Sequence, residues 1–219
     1  MPKGIFITAT DTEIGKTAIS AALGLALKDK CLDIAYMKPF SAGGKHSEDV
    51  SLLFKTLKLK DPLPLINPYH FHSPLAPYPA SQIEKRKIYM PKVIYSFQKL
   101  KKRHAYTIVE GVGGIMVPIT KKYFVLDLIK DMKLPAILIA RAGLGTINHT
   151  LSSIELLKKK HADVKAIILN NYSGNDLAEK TNVKVIEELS GIKVLTLKHY
   201  KDNVIENLAQ ELKTKLWQI

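Results

Sequence analysis

Residues 10–17 read TDTEIGKT. A phosphate-binding loop has the form GxxxxGK[ST]. Gly15, Lys16 and Thr17 match its end, and Thr10 stands in the place of its first glycine. Successive backbone N–H groups opening into a helix N-terminus make a cradle for anions. In such a loop Lys16 reaches the β- and γ-phosphates of a nucleotide, and the Thr17 hydroxyl ligates Mg2+. That ion takes oxygen ligands in an octahedron and keeps several waters. Two carboxylates are candidates to join Thr17. Glu110 closes an apolar run, and Asp49 follows the loop after the second apolar run. Asp49 can equally be read as a helix cap ahead of Val50. Glu110 opens the glycine-rich turn EGVGG, in which Gly111, Val112 and Gly113 can bring backbone close to a ligand. Lys38 precedes Pro39, where an ammonium can neutralise a phosphate or a developing negative charge. The seven histidines are dispersed and there is one cysteine, so a zinc centre is not expected.

These residues need a frame, and the apolar pattern supplies one. Strands are expected over residues 5–8, 34–37, 106–109, 136–140, 164–169 and 193–197. Helices are expected over 18–28, 50–57, 91–102, 125–132, 146–160, 179–189 and 203–216. Residues 62–79 are dense in proline and read as irregular. The strand runs are short, β-branched and continuously apolar, as in strands buried on both faces, and helical crossovers between them imply a parallel sheet. The expected fold is therefore α/β, a mostly parallel sheet with helices on both faces, in one domain spanning residues 1–219. Ligands of such sheets bind beyond the carboxyl ends of the strands. Residues 10–17, Lys38, residues 110–114, residues 141–145 and Asn170 all fall there, which predicts one composite site.

Apolar residues make up 46% of the chain and charged residues 24%, enough for a sizeable core. The single cysteine, Cys31, excludes an internal disulfide and is expected at a helix edge or in the core. The N-terminus reads as a strand rather than a secretory signal, and no apolar run approaches the roughly 18 residues of a membrane span. Cytoplasmic location without membrane attachment is expected. The net charge of +13 favours anionic partners. The lysines, however, lie in short scattered clusters. Beside one of them Val93, Ile94, Phe97 and Leu100 fall at helical spacing, so Phe97 is expected in the core rather than stacked on a base. No nucleic-acid partner is expected.

With these residues in place, the chain resembles the dethiobiotin synthetases. The TDTEIGKT loop is their distinctive form of the phosphate loop. In order follow Met37-Lys38-Pro39, Asn67-Pro68-Tyr69 with Phe71, Val109 with the EGVGG turn, Leu144-Gly145-Thr146-Ile147-Asn148-His149, and Asn170-Asn171. The resemblance implies an ATP- and Mg2+-dependent cyclo-ligase. It would convert 7,8-diaminononanoate and CO2 or bicarbonate to dethiobiotin through a carbamate and its mixed anhydride with phosphate. It implies that Glu13, Ile14, Gly15, Lys16, Thr17 and Ala18 hold the phosphates, with Thr17, Asp49 and Glu110 around Mg2+. Lys38 and Lys16 would be catalytic, Thr12 and Ser41 would lie near the diamine, and Asn170 with Asn171 would meet the base. Gly145, Thr146, Ile147 and Asn148 would grip the substrate carboxylate from the partner subunit of a homodimer; a helix start favours an anion.

Three places depart from that family's pattern. Ala9 replaces a glycine. Ala42 replaces a hydroxyl residue, with Ser41 one position earlier. The stretch after the last strand, Leu195-Thr196-Leu197-Lys198-His199, lacks a GxIP-like element, which implies base recognition built differently. The alternative is a partition- or septum-site-type ATPase switch. That group needs a second lysine five residues before the main one, and here that position is Asp11. An amidotransferase-type synthetase would need a further glutaminase domain.

Overall fold

The computed structural model describes residues 4–215. In chain order the elements are β1 (Gly4–Ala9), α1 (Lys16–Lys28), β2 (Ile34–Met37), β3 (Phe40–Ala42), α2 (Glu48–Thr56), α3 (Leu63–Ile66), β4 (Tyr69–Phe71) and α4 (Pro77–Ile83). There follow α5 (Met90–Arg103), β5 (Tyr106–Glu110), β6 (Pro118–Thr120), β7 (Tyr123–Phe124), α6 (Val125–Met132) and β8 (Ala136–Arg141). The last are α7 (Thr146–Lys159), β9 (Val164–Tyr172), α8 (Leu177–Ser190), β10 (Val194–Lys198) and α9 (Val204–Lys215). Leu216, expected at the end of the last helix, lies outside the described residues.

Six strands form one sheet in the order β10-β9-β8-β1-β5-β2, and every neighbouring pair is parallel. The chain first moves from β1 outward to β2, returns to β5, then crosses to β8 on the other side of β1. That reversal opens a crevice beyond the carboxyl end of β1.

Side chains alternate across the strands and feed two separate cores. Phe6, Val109, Leu138, Ile167 and Leu169 point to one face, where α5, α6, α7 and α8 supply Phe97, Leu128, Ile154 and Ile186. Ile5, Ile7, Ile108, Ile137 and Ile168 point to the other, under Leu23 of α1, Leu53 of α2 and Leu212 of α9. A strand covered on both faces must be apolar at every position, which is why the strands read as continuous apolar runs. Among the described residues no helix is long and apolar enough to cross a membrane. Cys31 is exposed in the turn after α1, with positive φ.

The proline-dense stretch 62–79 is not irregular, which corrects the sequence expectation. It holds α3, β4 and α4. Pro64 and Pro77 sit in the first turns of their helices, where the missing N–H costs nothing. β4 pairs with β3 in parallel, placing Ser41 opposite His70. Three residues per strand are too few to show a period. The β6–β7 hairpin escaped notice for the same reason.

Phe97 is completely buried. Phe97→Ala is expected to lower unfolding stability by about 3–5 kcal/mol, because it removes a large side chain from a packed core. Urea denaturation followed by circular dichroism checks this; a loss under about 1 kcal/mol would place Phe97 outside the core.

Candidate active site

The loop between β1 and α1 turns on two residues with left-handed backbone, Glu13 at φ 56° and Gly15 at φ 91°. Gly15 is required for a second reason: a Cβ there would lie 2.4 Å from Asn170 Nδ2. That amide donates to the Ile14 carbonyl at 2.8 Å, so Asn170, at the end of β9, clamps the loop from below. No side chain caps α1, and its first N–H groups stay available to an anion. Lys16 is buried and donates to the Asp11 carbonyl at 3.0 Å, curling over the loop. Burial lowers its pKa, with Glu110 opposing. The glycine-rich turn after β5 packs tightly on this loop, since a Cβ at Gly114 would meet the Thr10 carbonyl oxygen at 2.8 Å.

Glu110 is fully buried at the end of β5, beside β1. Its Oε1 accepts from Thr17 Oγ1 and from Lys38 Nζ, each at 2.8 Å. Its Oε2 accepts from the Tyr36 hydroxyl at 2.8 Å. Lys38 also donates to Asp49, bridging the two carboxylates. Burial pulls the Lys38 pKa down, but Glu110 and Asp49 outweigh it and hold the ammonium above its ordinary value. Asp49 does not cap α2. Ser47 is the cap, accepting from Val50 N at 3.3 Å, which leaves the Asp49 carboxylate turned to Lys38 and 47% exposed. The oxygens of Thr17, Asp49 and Glu110 are hard donors of the kind that could hold Mg2+.

The small β3–β4 sheet forms the far wall. Ser41 Oγ lies 2.9 Å from both Asn67 Oδ1 and His70 Nδ1, and Asn67 Nδ2 holds the Lys38 carbonyl at 2.6 Å. Between these walls runs a cleft of about 740 Å3. Thr12, Glu13, Gly15, Lys16, Thr17, Lys38, Ser41, Asp49, Glu110, Gly111, Val112 and Gly113 line it. Thus residues spread over a hundred positions of chain meet in one hollow.

Other expected site residues lie elsewhere. Asn170 and Asn171 line a second hollow, with Arg141 and the outer side of the phosphate loop. The Asn170 amide nitrogen is already committed to Ile14, and its Oδ1 is buried without a partner among the described residues. Residues 145–148 form no wall of the main cleft. Gly145 starts α7 in left-handed conformation, uncapped by any side chain, and Asn148 lines a separate shallow hollow with Met116 and His149. Ile14 is buried behind the loop, and Ala18 is on the first turn of α1.

Sequence reasoning missed Tyr36 as part of this region, and it placed Arg141 and Asn67 near the site without giving either a role. Arg141 donates to Asp11 at 3.2 Å, turning the Asp11 carboxylate outward across the loop. Tyr36 carried a signal: a buried tyrosine in a two-sided core needs a partner for its hydroxyl. Asn67 stood out only within the Asn67-Pro68-Tyr69 run; what it does depends on the unforeseen β3–β4 pairing.

A family model described as an AAA domain matches residues 3–203. The ATP-dependent dethiobiotin synthetase BioD of Nitrosopumilus maritimus (strain SCM1) is 42% identical over 198 residues, covering 88% of this chain and 87% of that protein. Its counterpart in Endomicrobium trichonymphae is 39% identical, covering 90% and 93%. That of Bacillus velezensis (strain DSM 23117 / BGSC 10A6 / LMG 26770 / FZB42) is 40% identical, covering 96% and 92%. Among solved structures, a ParA family ATPase from Chlorobium tepidum TLS superposes with TM-score 0.60 at 16% identity, over 99% of this chain and 94% of that one. MinD of Aquifex aeolicus gives 0.58 at 13%, over 97% and 98%. At such identities these two likenesses establish the fold alone. The sequence relatives go further: the chain belongs to the ATP-dependent dethiobiotin synthetase family.

Proposed function

We propose that this chain, working as one domain in the cytoplasm, makes dethiobiotin from 7,8-diaminononanoate, CO2 and ATP. The observation that carries the reading is the meeting of the phosphate loop, two buried lysines and two carboxylates in one cleft. An amine of the substrate adds to CO2 and loses a proton, giving a carbamate. A carbamate oxygen attacks the γ-phosphorus and ADP departs. The second amine attacks the carbonyl carbon of the resulting anhydride, the carbon–oxygen bond breaks, and inorganic phosphate leaves with the ring closed.

The residues divide the work by charge. The N–H groups of residues 13–18 and the Lys16 ammonium hold the phosphates. Lys38 stays protonated between Asp49 and Glu110 and stabilises the negative charge that passes from carbamate to phosphoryl oxygen. Thr17, Asp49 and Glu110 would hold Mg2+, which would supply charge neutralisation at the phosphates. Thr12 and Ser41, both on the cleft wall, face the diamine. Asn170 and Asn171, beside Arg141, lie on the base side. Asp11, engaged by Arg141, supports this reading over a partition-type switch, which needs a lysine at that position.

The open N-terminus of α7 takes the substrate carboxylate from the partner subunit of a homodimer. Two things support this. Residues 145–148 lie off the cleft of their own chain, and five methylene carbons hold the substrate's carboxylate away from its amines. A two-fold interface then completes two equivalent sites.

Phosphate release from ATP is expected only when diaminononanoate and bicarbonate are both present. Release that ignores the diamine would point to a switch ATPase instead. Lys16→Ala should cut turnover by on the order of 10²- to 10³-fold or more; near-normal product formation by that variant would sink the phosphate-loop role. The shared site is tested by mixing Lys38→Ala chains with Asn148→Asp chains, the latter setting a negative charge against the substrate carboxylate. Each homodimer should be crippled. In a mixed dimer one site collects both defects and the other neither, so up to about half of the mixed sites should recover. No recovery, with subunit exchange verified by mass spectrometry, would mean that each chain builds its own site.

A further inference from the structure

Tyr36 lies on β2 behind the cleft wall, 1% exposed, and does not line the cleft. β2 pairs with β5 so that Tyr36 stands opposite Ile108. Ile108 and Glu110 are two apart on one strand and share a face, so the long phenol leans forward along the sheet and reaches the carboxylate. The two carboxylate oxygens are thereby given different tasks. Oε1 turns to the cleft, where Thr17 and Lys38 meet it. Oε2 turns inward, and the Tyr36 hydroxyl meets it at 2.8 Å.

We propose that Tyr36 is a positioning residue: by anchoring Glu110 Oε2 it fixes the carboxylate plane so that Oε1 faces the Thr17 hydroxyl and the metal–nucleotide. This rests on the reading that Glu110 helps to hold Mg2+. A carboxylate pinned at one oxygen has lost its freedom to rotate, and the groups behind a ligand orient it much as the ligand orients the metal. Burial, and after it Glu110, push the Tyr36 pKa well above its ordinary value. Phenylalanine keeps the volume of tyrosine and removes only the donor.

The test measures binding of a slowly hydrolysed ATP analogue by calorimetry, with and without Mg2+, on the full chain. The quantity read is the Mg2+-dependent gain in affinity. Tyr36→Phe should shrink that gain by roughly 10- to 100-fold while leaving metal-free binding unchanged. A merely structural tyrosine would lower the melting midpoint and leave the gain intact, and that result overturns the proposal. Glu110→Gln is the second arm. Tyr36→Phe added to it should change the gain no further, because the two act through one carboxylate. That background already lacks the carboxylate that Tyr36→Phe would leave one donor short, so it also serves if the single variant folds poorly. Additive losses in the double variant would overturn the proposal. If Glu110→Gln itself keeps the full gain, the Mg2+ reading of Glu110 fails and the role of Tyr36 falls with it.

Discussion

A fully buried carboxylate persists in a fold only when donors surround it, because removing the charge from water costs several kcal/mol. Glu110 is such a group, and its donors come from three directions: α1 through Thr17, β2 through Tyr36, and the end of β2 through Lys38. Satisfying it therefore ties together the helix behind the phosphate loop, the edge strand β2 and its neighbour β5. Lys38 is in the same position with opposite sign. Its burial is tolerable only beside Glu110 and Asp49. Neither ion could be placed there alone.

The same economy governs the phosphate loop. Its backbone must expose N–H groups toward an anion, which leaves the loop short of internal partners. Asn170 compensates from β9, four strands from β2 in the sheet, and packs so closely that residue 15 can only be glycine. Gly114 admits the Thr10 carbonyl from the other side. The loop is held between two strand ends rather than by its own sequence, so the neighbours of β1 in the sheet matter as much as the motif.

The likeness to ParA and MinD structures is a statement about this scaffold. A parallel sheet with a phosphate loop at its switch point serves switches and synthetases alike. What separates the readings lies in single side chains. Asp11 is turned to Arg141, where a switch would carry a lysine, and Lys38 with Ser41 lines the cleft beside the carboxylates.

The sequence by itself determined the strands, the long helices and the phosphate loop, because each follows from local chemistry: two-sided burial makes continuous apolar runs, one-sided burial makes a helical period, and an anion cradle needs glycine, lysine and a hydroxyl in fixed order. It also marked Lys38, Asp49 and Glu110 as residues beyond strand ends. It could not choose between cap and ligand for Asp49; Ser47 took the cap, and the carboxylate went to Lys38. It passed over Tyr36, whose partner lies 74 residues away. It took residues 62–79 for irregular chain, although proline opens two helices there and β4 finds β3 across the loop. The Tyr36 bond and the β3–β4 pairing join segments far apart in the chain, and such a contact leaves no period or spacing from which to read it.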